Sequence, residues 1–392
     1  MKKIIIAISL VVCGITSSQN SVEQTVFSNQ IINYGKPDST NIDPEVIRLF
    51  GGRLVIKKVT VPTFENGTDV HLKLKLRSNG DKWDKSGSCF VITNPDDISI
   101  LDVANGNANF PKASYVTEKH GGVLPTSNYT PVIELLRFMT PFGVGHYSND
   151  ERKYLKPVYI PKWEKEVVWN QDISHLEDVV TGTFYIGVWI DSWTKTGYKF
   201  DVTLSYSGRA KKQRKVMSLV NTVKYGKGQA LPYFFADGPL EYNFQLPKNL
   251  KNVKLHYITT GHGGHRGGDE FTKIKNSVYF DNKLVLDTIP WRDDCASFRR
   301  FNPTSGVWLR KDSAYYRDPK TRKRAVKEIE ERLASSDLSR SNWCPGSKVE
   351  PFAVDLGDLE AGKHSIKITI PATKAEEGKA NHWLVSAYIT YE

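Results

Sequence analysis

The sequence predicts an all-β fold of two tandem antiparallel sandwiches, and three observations carry that prediction. Apolar residues recur at every second position in segment after segment, most clearly in residues 70–77, where Val70, Leu72, Leu74 and Leu76 alternate with His71, Lys73, Lys75 and Arg77. A period of two is the signature of a strand with one buried and one wet face. Clusters of Gly, Pro and Asn separate these segments, as tight turns require. A basic run at residues 209–215 (RAKKQRK) parts two such series within 392 residues, a length that suits two domains.

Taken in order, residues 1–18 read as a secretory signal, because Lys2 and Lys3 precede an apolar run, residues 4–12, too short to span a bilayer. Export to a secreted or periplasmic location is therefore expected. Cys13 leaves lipoprotein anchoring open, although Leu10, Val11 and Val12 stand where a small residue is usual. Residues 19–50 form an N-terminal extension, either a small module or an extended arm. Residues 51–208 make the first sandwich, in which residues 183–191 and 199–206 are expected to pair as a hairpin around a turn containing Gly197. Residues 209–392 make the second. Its strands are residues 240–246, 253–257, 352–356, 366–370 and 383–391, with a hairpin at residues 277–286 around Asp281 and Asn282. One segment, residues 321–335, reads as a short helical insertion, because Val326, Ile329 and Leu333 are spaced three and four apart.

A net charge of +11 and a second basic run at residues 320–327 (KTRKRAVK) raise the possibility of a nucleic-acid partner. Neither run is interleaved with aromatic residues or joined to a nucleic-acid motif, and an exported chain meets little nucleic acid. They read as a solvated linker and a solvated helix face, with no nucleic-acid partner. Cys13 aside, three cysteines remain. In an oxidising compartment Cys295 and Cys344, both in polar Trp-containing loops, are the favoured disulfide, while Cys89 opens an apolar run and reads as a buried small hydrophobe.

Three segments carry chemistry. Residues 259–271 (TTGHGGHRGGDEF) place five glycines before Asp269 and Glu270, letting backbone and carboxylate approach a ligand closely. Residues 78–85 (SNGDKWDK) set Asp81, Trp83 and Asp84 in a turn after a strong strand. An indole offers a face to a sugar ring and a carboxylate can bind hydroxyls or activate water; the plainer alternative is an exposed loop with a half-buried Trp. Alternation puts Tyr185, Trp189, Asp191 and Trp193 on the outward face of their strand, so either the other domain covers that face or it lines a groove. His256, His262 and His265 beside Asp269 and Glu270 invite a metal reading, but their spacing matches no strong metal motif. No metal site is expected, and His256, on the face of Lys254, is expected in solvent.

Five landmarks in order resemble the peptide-N-glycosidase F family: Trp83, Asp84 and Lys85 after a strand; residues 137–145 (RFMTPFGVG); Asp191 with Trp193; the glycine-rich loop ending at Glu270; and Arg340 with Trp343, Cys344, Pro345 and Gly346. The similarity runs from about Leu54 to the C-terminus, interrupted by insertions at residues 97–130 and around Ile329. It implies jelly-roll-like sandwiches with the site in the cleft between them. It implies amide hydrolysis at the Asn–GlcNAc bond of N-linked glycans, without a cofactor, by an exported monomer whose partners are N-glycosylated proteins or glycopeptides. By position, Asp84, Glu270 and Asp191 would be the catalytic acids. Trp83, Lys85, Trp193, His262, Arg340 and Trp343 would contact the glycan stem, and Cys295–Cys344 matches a family disulfide. The chain departs from the family pattern in having Asp191 for Glu, Lys85 for Arg and His262 for Trp. Gly268 and Thr272 stand for a cysteine pair, and a disulfide before the Asp84 loop is missing. A non-catalytic glycan-binding protein on the same fold is the alternative, and a metal-dependent enzyme using the histidines is a third.

Overall fold

The computed structural model describes residues 21–35, 43–64, 67–94, 96–111, 120–149, 160, 162–208, 214–229, 233–265, 267–374, 376 and 381–392. The expected signal, Cys13 and most of the 209–215 run lie outside the described residues. Among the described residues no helix is long and apolar enough to cross a membrane.

The first sandwich packs a four-stranded sheet on a six-stranded one. The four-stranded sheet runs Val22–Ile32, Tyr198–Ser207, Asp69–Ser78, Val167–Asp172, all antiparallel. The strongest sequence signal behaves as expected: Val70, Leu72, Leu74 and Leu76 are buried while His71, Lys73 and Arg77 face water. Burying each such aliphatic side chain is worth roughly 1.5–3 kcal/mol. Val22–Ile32 falls in the stretch that the sequence set apart as an extension. It pairs with Tyr198–Ser207 along the sheet edge, so that stretch is part of the first sandwich.

The six-stranded sheet runs Lys348–Val349, Ile133–Met139, Ser86–Ile92, Gly182–Ile190, Leu54–Val61, Val46–Leu49. Ile133–Met139 is buried at every position, as is nearly all of Ser86–Ile92. Both faces of this sheet are covered. One meets the four-stranded sheet, and the other packs Leu54, Phe90 and Trp189 against Phe110, Tyr225 and Leu384 from the insertion and the second half. The outward aromatic face around Trp189 is thus roofed by the other domain. Within the insertion a five-residue helix, Ile100–Ala104, begins in a Ser99/Asp102 capping box.

The expected hairpin of residues 183–191 with 199–206 does not form. Gly182–Ile190 pairs with Leu54–Val61 and Ser86–Ile92, whereas Tyr198–Ser207 belongs to the facing sheet. The intervening residues cross from one layer to the other, and Asp191 sits where that crossing begins.

The second sandwich stacks Lys215–Asn221, His382–Tyr391, Leu250–His262 and Phe352–Leu359 on Leu240–Leu246, Gly362–Thr369, Asn276–Phe280 and Lys283–Thr288. The turn at Asp281 and Asn282 forms as expected, both residues having positive φ (49° and 63°), the conformation of a tight two-residue hairpin. The helix expected at residues 321–335 is instead a strand, Arg324–Ala334, paired along its length with Val307–Arg317. The three-and-four spacing of Val326, Ile329 and Leu333 misled because a ribbon exposed on both sides imposes no burial period of its own.

Two features bind the halves together. Lys348 and Val349 pair with Phe138 and Arg137, so the second half contributes the edge strand of the first half's sheet. Arg137, only 1% exposed, bonds Glu134 on its own strand and reaches the carbonyl of Leu384 and the hydroxyl of Thr260 in the second sandwich. A buried charge pair is tolerated only when its remaining donors are satisfied in this way.

Candidate active site

Asp84 rides on the connection between Asp69–Ser78 and Ser86–Ile92, and that connection is held at many points. Asp81, fully buried, accepts hydrogen bonds from Ser192 Oγ (2.9 Å), Thr194 Oγ1 (3.1 Å) and the Trp83 amide (3.1 Å). Tyr198 donates its hydroxyl to the Trp83 carbonyl at 2.6 Å, and the Lys85 amide donates to Thr140 Oγ1 at 2.8 Å. Of the two acids in this loop, Asp81 is therefore the clamp and Asp84 the one free to face the cleft. This polar clamp fixes a loop that has no disulfide.

Glu270 has the same arrangement. Its neighbour Asp269, fully buried, accepts from Trp383 Nε1 (2.9 Å) and the Thr373 amide (3.1 Å), and its own amide donates to Asn381. Of the glycines before it, Gly268 is sterically required: a Cβ there would lie 1.9 Å from the Gly263 carbonyl oxygen. Thr272 Oγ1 donates to the Gly268 carbonyl at 2.9 Å, so a hydrogen bond joins the positions where the family pattern has cysteines.

Arg340 links these two acids. Its Nε donates to Glu270 at 2.8 Å, its Nη2 lies 3.9 Å from Asp84, and Nη1 and Nη2 donate to the carbonyls of Leu338 and Ser335. The guanidinium also lies over the rings of Trp343 (4.8 Å) and Phe271 (5.1 Å). The Ser341 amide donates to the Glu270 carbonyl, and the Cys295–Cys344 disulfide, present as expected, closes the same loop. Asp84 and Glu270, 186 positions apart, thus face one buried cation.

Burial pushes the Glu270 carboxyl up to about 7; Arg340 opposes that rise and the Asp84 charge adds to it. Burial likewise raises Asp84, against the pull of Arg340 and Lys85. His262 is held well below the ordinary imidazole range by burial, with His382 and Arg137 adding to the effect. It is a neutral ring stacked between Trp343 (5.6 Å) and His382 (4.9 Å) and hydrogen-bonded to Thr260.

These residues line a cleft of about 890 Å³ that takes its walls from both sandwiches. Of the residues expected from sequence, Trp83, Asp84, Lys85, Asp191, His262, Glu270, Arg340 and Trp343 line it. Trp193 stands just outside, 57% exposed, with Arg53 over its ring at 4.0 Å and Tyr34 at 5.3 Å. The same Arg53 donates to Asp191 at 3.0 Å, which ties Asp191 to the cleft mouth, apart from the Asp84–Arg340–Glu270 group. Sequence reasoning missed Phe271, His382 and Arg53. Phe271 had a signal in its place beside Glu270, whereas Arg53 lies 138 positions from its partner and had none.

The three histidines weighed as metal ligands do not converge. His256 is buried rather than solvated, stacked on His175 and Tyr388 and hydrogen-bonded to Thr390, because His175 of the first sandwich covers it while Lys254, on the same face, stays exposed. Among the described residues no three His, Cys, Asp or Glu side chains are grouped to hold a metal ion.

Tandem sandwiches meeting at a cleft lined by a buried and a part-buried carboxylate, an arginine and aromatic rings define a two-domain β-sandwich protein with a polar interdomain site. The chain belongs to the peptide-N-glycosidase F family: residues 23–206 match its N-terminal model and residues 230–390 its C-terminal model. It is similar to the solved structure of PNGF-II, with 34% identity over 95% of this chain and a TM-score of 0.81, and it spans 65% of the PNGF-II chain. The likeness to PNGase F, a glycosylasparaginase from Flavobacterium meningosepticum, is one of fold: 14% identity over 95% of this chain and 96% of that one, with a TM-score of 0.58. No curated protein matches the chain.

Proposed function

We propose that the chain hydrolyses the amide bond between Asn and the innermost GlcNAc of N-linked glycans, giving Asp in the polypeptide and a glycosylamine. The observation that carries this reading is the placement of Asp84 and Glu270, from different sandwiches, against Arg340 in one cleft. A secondary amide resists water unless a base takes the water's proton and positive charge meets the developing oxyanion. Asp84 is the acid at the reaction centre. Its carboxylate accepts the proton as the water oxygen bonds to the amide carbon, and the C–N bond breaks as Asp84 passes that proton to the nitrogen, which leaves as the glycosylamine. Glu270 positions the water, and Arg340 keeps the two carboxylates tolerable together. Trp83, 52% exposed, offers a ring face to the sugars, while Trp343, 4% exposed and covered by Arg340 and His262, backs the cleft wall that Lys85 also lines. Asp191 and Trp193 hold the glycan at the mouth. The reading carries with it an exported monomer that acts on glycoproteins without a cofactor.

The test is mass spectrometry of a glycopeptide treated in heavy-oxygen water. Conversion of Asn to Asp with one heavy oxygen is expected. A GlcNAc left on Asn would instead show glycosidase chemistry by paired carboxylates, and binding without release would make the protein a glycan-binding module. Asp84→Asn should abolish release and leave the melting temperature unchanged or higher, since burial already disfavours the charge at this position.

A further inference from the structure

The ribbon formed by Val307–Arg317 and Arg324–Ala334 takes no part in the site as described, yet it begins there. Gly306 and Ser335, at its two feet, line the cleft beside Arg340. Each strand is 11 residues long, so the ribbon reaches roughly 35 Å from that rim at about 3.3 Å per residue. Among the described residues its outer part is exposed: Tyr315 is 68% exposed, Val326 56%, Tyr316 37% and Ile329 36%.

Two properties say what fits it. Residues 315–327 hold six basic side chains against one acid, Asp318, whose carboxylate accepts the Lys320 and Thr321 amides of the turn. Arg324 lies over the Tyr315 ring at 3.8 Å and Lys327 is 5.5 Å from that of Tyr316, so cation and aromatic are paired on each face. The ribbon is also a sheet of only two strands, so each strand has an outer edge to which no further strand of a described sheet is joined. An extended polypeptide matches such an edge, whereas a saccharide does not.

We infer that this ribbon is a docking arm for an extended, acidic polypeptide segment of the substrate glycoprotein, holding the chain while its glycan enters the cleft. The inference rests on the proposed glycoprotein substrate, so its test is a binding measurement that needs no catalysis. Fluorescence anisotropy of the full chain with an aglycosyl Asp/Glu-rich peptide, a Ser/Gly-rich peptide of equal length, a sialylated free glycan and single-stranded DNA separates the candidates. The acidic peptide should bind in a salt-dependent way and the neutral peptide should not. Lys320→Glu/Lys323→Glu/Arg324→Glu should weaken that binding about tenfold or more, since exposed charge pairs are individually weak and reversal turns each into a repulsion. The milder Lys320→Gln/Lys323→Gln should give a smaller loss in the same direction, and both variants should turn over a neutral-flank glycopeptide as the wild type does. Equal binding of acidic and neutral peptides, no response to charge reversal, or a response confined to the sialylated glycan or the DNA would overturn the inference. Failure to convert Asn to Asp while the acidic peptide still binds would sink the amidase reading alone.

Discussion

Glu270 offers a prediction that can be worked through without any substrate. Its carboxyl ordinarily titrates at 4.5 and is pushed up to about 7 in the fold, chiefly by burial. For an acid whose folded pKa is raised, the stabilising proton is fully retained below the unfolded value and is lost as pH rises through the folded one. Between pH 4.5 and about 7 the unfolded chain has given up this proton while the folded protein still holds it, so the stability of the fold falls as pH rises. At about 1.4 kcal/mol per pH unit the interval amounts to about 3 kcal/mol. Glu270→Gln removes the titration and keeps an oxygen for Arg340. Urea unfolding of wild type and variant from about pH 4 to pH 8 gives the difference as a function of pH; groups remote from Glu270 cancel, and the difference reports Glu270 together with its coupling to Asp84. The variant should gain about 3 kcal/mol over the wild type across that range. A flat difference, or one that grows toward low pH, would refute the claim that burial disfavours the charged form of Glu270. The same titration sets the acid limb of activity near pH 7, because an ionised Glu270 is the form that positions water.

Other perturbations test the framework. Arg53→Met keeps cover over Trp193 but leaves Asp191 unpaired; glycopeptide KM should rise about fivefold with kcat nearly unchanged, the scale of a partly exposed ion pair. Gly268→Ala drives a methyl against the Gly263 carbonyl, which should cost about 1–3 kcal/mol in chemical denaturation and, by displacing Glu270, lower kcat about a hundredfold. Replacing Cys295 and Cys344 together with Ser opens a loop of 49 residues and should lower stability by about 4 kcal/mol, read as a denaturation midpoint lost under non-reducing conditions.

The parts of the fold that were legible are those where local chemistry and tertiary environment agree. Residues 70–77 alternate because one face meets the core and the other meets water, and Asp281 with Asn282 is a turn that carries its own dihedral preference. The parts misread lack that agreement. The 307–334 ribbon is exposed on both faces, so an accidental helical spacing met no contrary burial pattern. Residues 182–190 and 198–207 each look like half of a hairpin, and nothing in a period of two says which sheet a strand joins. His256 reads as solvated because its strand neighbour Lys254 is charged, while the wall that buries it, His175, comes from a segment 81 positions earlier. In the site, Asp84 and Glu270 were singled out, yet each stands beside an acid of the same type of setting. Only the partners of Asp81 and Asp269, drawn from distant loops, separate the clamping carboxylates from those that face the cleft.

The two-residue pairing of Lys348 and Val349 with Phe138 and Arg137 has a consequence for biosynthesis. As the chain leaves the ribosome, residues of the first half can pair among themselves long before residue 348 is made. Through that interval the outer edge of Ile133–Met139 waits uncapped, and Arg137 lacks the carbonyl it will meet at Leu384. A nascent first half is thus a sheet with an adhesive border, prone to join its neighbours on a crowded polysome. Expressed by itself, that half should collect in inclusion bodies, and supplying the rest of the polypeptide in trans should recover soluble material only if it arrives before those borders meet.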